Sequence, residues 1–133
     1  MTLQRYVGLP FVAGGRGPGA VDCWGLVCFV YRQELGLDLP LHADVRVSDV
    51  RAVSRAMDTG KDAPEWVAVD DPRPLDVAVM RLPSSGRPGH VGLCAGGGMI
   101  LHVERAASTV LEPATSPMIA HRIIGYWRHA SQC

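Results

Sequence analysis

The chain has 133 residues, enough for one domain that buries a working hydrophobic core. Apolar residues make up 47% and charged residues 20%, and thirteen basic residues balance thirteen acidic ones. That balance argues against broad electrostatic capture of nucleic acid or an anionic membrane, and no apolar run reaches the roughly 18 residues of a membrane-spanning helix.

In chain order, the amino-terminal segment Met1-Thr-Leu-Gln-Arg-Tyr-Val-Gly8 lacks the basic-then-apolar build of a signal peptide, so synthesis and folding in the cytosol are expected. Residues 8 to 19 are rich in glycine and proline and read as an irregular lead-in. The segment Val21-Asp-Cys-Trp-Gly-Leu-Val-Cys-Phe-Val-Tyr-Arg-Gln-Glu-Leu35 follows. Cys23, Leu26, Val27, Val30 and Tyr31 recur at helical spacing and predict a helix with one buried stripe. Asp22 is its natural N-cap and Gly36 its stop, while Gly25 weakens the first turn. A shorter helix is predicted from Ser48, as its cap, to Met57, with Val50, Val53 and Met57 on one face and Gly60 at its end. Strands are predicted at Trp66 to Val69, Leu75 to Leu82, His90 to Ala95, Met99 to Glu104 and Ile119 to Trp127. Pro72, Pro74, Pro83, Pro88 and Pro113 fall between them, where proline does least damage. The outline is a single α+β domain over residues 1–133, helices first and an antiparallel sheet after. Four cysteines are scattered through it, and free thiols suit them better than disulfides.

Cys23 occupies the first turn of the strongest helix. The positive end of the helix dipole favours a thiolate there, and unpaired backbone N–H groups can hold an oxyanion. A core residue on the apolar stripe is the other reading. Two histidines bear on the choice. The strands flanking Gly96-Gly97-Gly98 form a hairpin signal, and a turn centred near Gly97 sets Gly92 opposite His102 and His90 opposite Glu104. His90 and His102 then share a face as diagonal neighbours, about 7 Å apart at Cα. A thiol, a base and a third group that orients the base form a nucleophilic set: Cys23, His90 and His102. Such a set needs no cofactor. A zinc site built from the same three residues with Cys94 competes, but no Cys-x-x-Cys or His-Glu-x-x-His spacing supports it, so no metal is expected. His42, His121 and His129 have no comparable setting and are expected on the surface.

Five segments together resemble the NlpC family of bacterial cell-wall cysteine peptidases: Gly8-Leu-Pro-Phe-Val-Ala-Gly-Gly15, Asp22-Cys-Trp-Gly-Leu-Val27, Pro74-Leu-Asp-Val77, His90-Val-Gly-Leu93 and Met99-Ile-Leu-His102. They stand in that family's order and approximate spacing from about residue 5 to residue 127. The resemblance implies a papain-like α+β fold that cleaves peptidoglycan stem peptides, commonly beside γ-D-glutamyl residues. By motif position it implies Cys23 as nucleophile, His90 as base and His102 as third polar residue. Asp22 matches an aspartate that can contact the substrate's amino end. Trp24 stands where many members have serine and Phe11 where many have tyrosine, both near the substrate groove. Leu75 replaces a usual glycine in a turn. The Asp-Cys-Trp-Gly form and the bare single domain look most like the phage tail-assembly branch. That likeness implies synthesis in the bacterial cytoplasm, other tail proteins as partners and incorporation into a tail particle.

Overall fold

A computed structural model describes residues 3–43, 45 and 50–133. Helix α1 spans Cys23–Leu35. Its start is set by Asp22, whose side chain accepts the Gly25 N–H at 2.7 Å, and its end by Gly36 in the left-handed conformation at φ 62°. Leu26, Val27, Val30 and Tyr31 of the predicted stripe are fully buried. Each such side chain contributes roughly 1.5–3 kcal/mol on burial. Helix α2 spans Val50–Gly60. Its expected cap, Ser48, lies outside the described residues. None of the described helices is long and apolar enough to cross a membrane.

Six strands make one antiparallel sheet: β1 (Trp66–Val69), β2 (Val77–Arg81), β3 (Pro88–Gly96), β4 (Met99–His102), β5 (Val110–Pro113) and β6 (Ile123–His129). Their spatial order is β1-β6-β2-β3-β4-β5. Val77, Val79, Val91, Leu93, Leu101 and Val103 project from one face into the core formed with α1. Ala78, Met80, Cys94 and Ile100 belong to a second, smaller cluster on the other face.

The hairpin register agrees with expectation. Leu93 pairs with Leu101 and Cys94 with Ile100, with a bulge before Gly96 taking up the slack of the glycine turn. Several bounds shift by a few residues, with β2 starting at Val77, β4 ending at His102 and β6 running to His129, and three larger details differ from the sequence reading. Pro88 is the first residue of β3 and pairs with Arg81 at a second irregularity, a position that needs no ladder N–H. Ile119 precedes a 3₁₀ turn, Ala120–Arg122, so the last strand starts only at Ile123. Strand β5 was not expected at all. It is four residues long, ends in a proline, and takes its form from pairing with β4.

Two buried contacts tie the layers together. The Tyr31 hydroxyl donates to the Leu75 carbonyl at 2.6 Å, joining α1 to the turn before β2. Leu75 itself is buried with φ 77°, in the left-handed region where glycine is at ease. That is the physical sense of a glycine at this position, and Leu75 offsets the strain by filling the core. Next to it, buried Asp76 accepts from Arg128 Nε and Nη2 at 2.9 and 2.7 Å and from the Arg73 N–H at 2.7 Å, which clamps β6 to the same turn.

Candidate active site

Cys23 is the first residue of α1 and is half-buried, unlike the rest of its stripe. The lead-in loop is pressed against this helix end. A Cβ on Gly25 would lie 1.8 Å from the Gly15 carbonyl oxygen, so only glycine admits the loop. Asp22 closes the junction. Beyond capping Gly25, it accepts from Arg16 Nη1 at 2.8 Å and from the Gly14 N–H at 2.9 Å. Its carboxylate is thus engaged by three donors within the chain, a structural role that stands beside the expected contact with a substrate amine.

The Cys23 sulfur receives backbone N–H groups from Val91, the residue after His90, and from Trp24. The thiol nonetheless titrates in the direction opposite to the sequence expectation. Burial, with the negative charge of Asp22 added, pushes it up from 9.0 to about 12, and the two N–H groups offset only part of that. A helix end lowers a thiol's pKa when it faces solvent; here a carboxylate sits at the same end and the half-buried sulfur is desolvated. The resting group is a thiol.

His90 and His102 are both buried and meet directly, with Nε2 of His90 2.9 Å from Nδ1 of His102. Gly92 makes this possible. A Cβ there would lie 2.7 Å from Ile100 Cγ2 and 3.1 Å from His102 Cβ. On its far side, His102 Nε2 meets Glu112 Oε1 at 2.8 Å, and the Ser116 hydroxyl donates to Glu112 Oε2 at 2.7 Å. Three adjacent strands therefore carry one polar row, His90–His102–Glu112. The hairpin reading reached the first two members. Glu112 was missed with its strand, although pairing of His102 with Val110 sets it one diagonal away.

Burial lowers the His90 pKa from 6.5 to about 4, with the charge of Glu104 opposing and His102 and Arg122 adding to the shift. His90 is accordingly a neutral imidazole at pH 7. Glu104 Oε1 is 3.6 Å from His90 Nε2 and accepts from Arg122 Nη1 at 2.6 Å. His90, His102 and Glu104 bring three metal-ligating atoms within 4.8 Å of one another. In the observed arrangement the imidazoles bond each other and Arg122 holds the carboxylate. Neither Cys23 nor Cys94 joins that trio, and all four cysteines are free.

A cavity of about 690 Å³ opens beside Cys23, between α1, α2 and the sheet. Trp24, Trp66 and Trp127 wall it, and Val77, Val79 and Val91 lie along it. The Trp24 indole N–H donates to the Pro40 carbonyl at 2.8 Å, which fixes the ring. Asp22 also borders this space, whereas Phe11 is absent from its lining and packs against the core. Two histidines expected merely at the surface belong to the cavity. His42 is exposed and lies 5.7 Å from the Trp24 ring; His129 is half-buried, with its ring 5.0 Å from that of Trp66. Only His121 is simply exposed.

Comparison with known proteins bears on this geometry. The chain is 29% identical over 109 residues to the gamma-DL-glutamyl hydrolase of Bacillus subtilis, covering 81% of this chain and 23% of that protein. It is 25% identical over 121 residues to the murein DD-endopeptidase MepS/murein LD-carboxypeptidase of Escherichia coli, covering 91% of this chain and 52% of the relative. The chain thus spans about half or less of the curated relatives it matches. A solved NlpC/P60 family protein from Bacillus cereus superposes with TM-score 0.68 at 24% identity, over 96% of this chain and 37% of that one. The model of the NlpC/P60 family matches residues 8–128, nearly the whole chain, and the protein belongs to that family.

Proposed function

We propose that this domain is a cysteine peptidase or amidase that hydrolyses peptide bonds of peptidoglycan stem peptides, next to γ-D-glutamyl residues. The observation that carries the reading is a hydrogen-bonded histidine pair whose His90 precedes Val91, the residue whose backbone meets Cys23, a helix-start thiol that lines a cavity. The names of the two curated relatives, one a glutamyl hydrolase and one a murein endopeptidase, support the substrate class.

Cys23 acts as nucleophile and His90 as base. His90 spends Nε2 on His102, which leaves Nδ1 to take the proton. Since thiol and imidazole both rest neutral, the Cys23 proton passes to His90 Nδ1 as the sulfur bonds the amide carbonyl carbon. The carbonyl oxygen becomes an oxyanion held by the Cys23 backbone N–H in the unpaired first turn. His90 returns the proton to the amine nitrogen as the C–N bond breaks, leaving a thioester. Water then attacks, with His90 again as base, releasing a carboxylate and restoring the thiol. His102 holds the base, and Trp24 contributes to the groove wall.

The tail-assembly likeness extends the proposal: the domain serves a phage or prophage tail, is made in the bacterial cytoplasm, and acts with other tail proteins at the cell wall. The test is mass spectrometry of purified peptidoglycan fragments incubated with wild type and Cys23→Ala. Cleavage by wild type alone, at a defined bond, is the expected result. No cleavage by either would overturn it in favour of a structural role.

A further inference from the structure

We propose that Glu112 is a positioning residue for the Cys23–His90 pair: its carboxylate fixes the tautomers of both histidines and so turns a lone pair, rather than a proton, toward the thiol. The proposal builds on the reading of His90 as base. Its starting point is a donor–acceptor constraint. An ionised carboxylate can only accept, and hydrogen bonding from Ser116 and His102 holds Glu112 below the ordinary carboxylate range. His102 Nε2, 2.8 Å from Glu112 Oε1, must therefore carry the proton of that contact. A neutral imidazole has one N–H and one lone pair, so His102 Nδ1 is an acceptor. The atom 2.9 Å from it, His90 Nε2, is then the donor, and the lone pair of His90 falls on Nδ1. With His102 neutral, each step leaves a single choice, and the chain runs one way from Glu112.

The anchor is itself built. Both carboxylate oxygens are engaged, one by His102 and one by Ser116, and the Met118 N–H donates to the Ser116 hydroxyl at 3.2 Å. Glu104 lies 3.6 Å from His90 Nε2, outside hydrogen-bond distance, and its negative charge favours a proton on that atom. Its carboxylate is shared with Arg122, which leaves Glu112 to decide the state of His102.

Removing the acceptor frees His102 to protonate at Nδ1, which forces the proton of His90 onto its Nδ1, the wrong side for a base. Glu112→Met does this with a side chain of similar length. Glu112→Gln keeps a carbonyl oxygen for His102 and an N–H₂ for the Ser116 oxygen. Nitrogen-15 spectra of the imidazole rings, in protein checked for folding by circular dichroism, read each tautomer without any substrate. Expected are Nε2–H forms for both histidines in wild type and Glu112→Gln, and a shift of both toward Nδ1–H in Glu112→Met. Alkylation of Cys23 by iodoacetamide, followed by mass spectrometry to separate it from Cys133, should slow on the order of tenfold or more in Glu112→Met. In Glu112→Gln it should stay within about threefold of wild type. On peptidoglycan fragments the Met variant should lose kcat with KM nearly unchanged. Unchanged tautomers in Glu112→Met, or a wild-type His102 protonated on both nitrogens, would overturn the proposal. Tautomers as expected in a protein that cleaves nothing would leave the positioning intact and remove the peptidase reading instead.

Discussion

The two faces of the β3–β4 hairpin do different work with the same two strands. Toward α1 stand Val91, Leu93, Leu101 and Val103, all within 3% exposure, held by packing alone. At the alternating positions stand His90, Gly92 and His102, equally buried but held by directed hydrogen bonds with Glu112 at one end, the His90 end adjoining the start of α1 through Val91. The first face tolerates change in proportion to volume; the second depends on angle, proton position and one absent side chain. One residue of register separates them, and the bulge before Gly96 is placed where it leaves that register intact through both histidines.

The sharpest break of the apolar face is Leu101→Ala. Cavity formation should cost about 2–5 kcal/mol, read as a lower urea midpoint, while Cys23 in the folded fraction keeps its wild-type alkylation rate. Gly92→Ala attacks the other face. The added methyl meets Ile100 and His102, so overpacking should cost about 1–3 kcal/mol, less than Leu101→Ala. Its effect on peptide cleavage should be the larger of the two, about a hundredfold, because His102 is displaced. Equal effects of both substitutions on stability and cleavage would erase the distinction between the faces.

The last difference is a pH dependence confined to the polar face. Unfolded His90 takes its proton near 6.5 and folded His90 only near 4, so its contribution to stability is complete above 6.5 and declines as pH falls toward about 4. Glu104 and Glu112 are held below 4.5, Glu104 by His90 and Arg122 against its burial, Glu112 first by Ser116. Their contributions are lost at still lower pH, in the same direction. Urea midpoints measured from pH 7 to pH 5 should fall in wild type and stay flatter in His90→Gln; parallel curves would contradict the His90 assignment.

Much of this was legible in the sequence, for reasons that separate cleanly. Helix α1 announced itself through Asp22, the stripe and Gly36, all local signals. The histidine pair was reachable because a glycine turn sets hairpin register over a short distance. What escaped depends on contacts between distant segments. Strand β5 has four residues and no pattern of its own, so Glu112 went unseen. His42, in the segment after α1, and His129, at the end of β6, meet at the cavity only in the folded chain. The direction of the Cys23 titration was misjudged because helix position is visible in sequence, while burial and the orientation of Asp22 are not. Gly25, read as a weakness, is a close contact with Gly15 that only the folded loop reveals.

Strand β5 pairs with β4 alone and ends the sheet. Edge strands exchange their amide hydrogens sooner than central ones, opening without the rest of the domain. The carboxylate at the end of the polar row therefore sits on the sheet's margin, while the thiol sits at the start of the helix packed on the core. As denaturant is added, catalysis should fade before the core gives way. A ligand or neighbouring protein laid along that margin would steady the histidines from a distance, without touching the cavity.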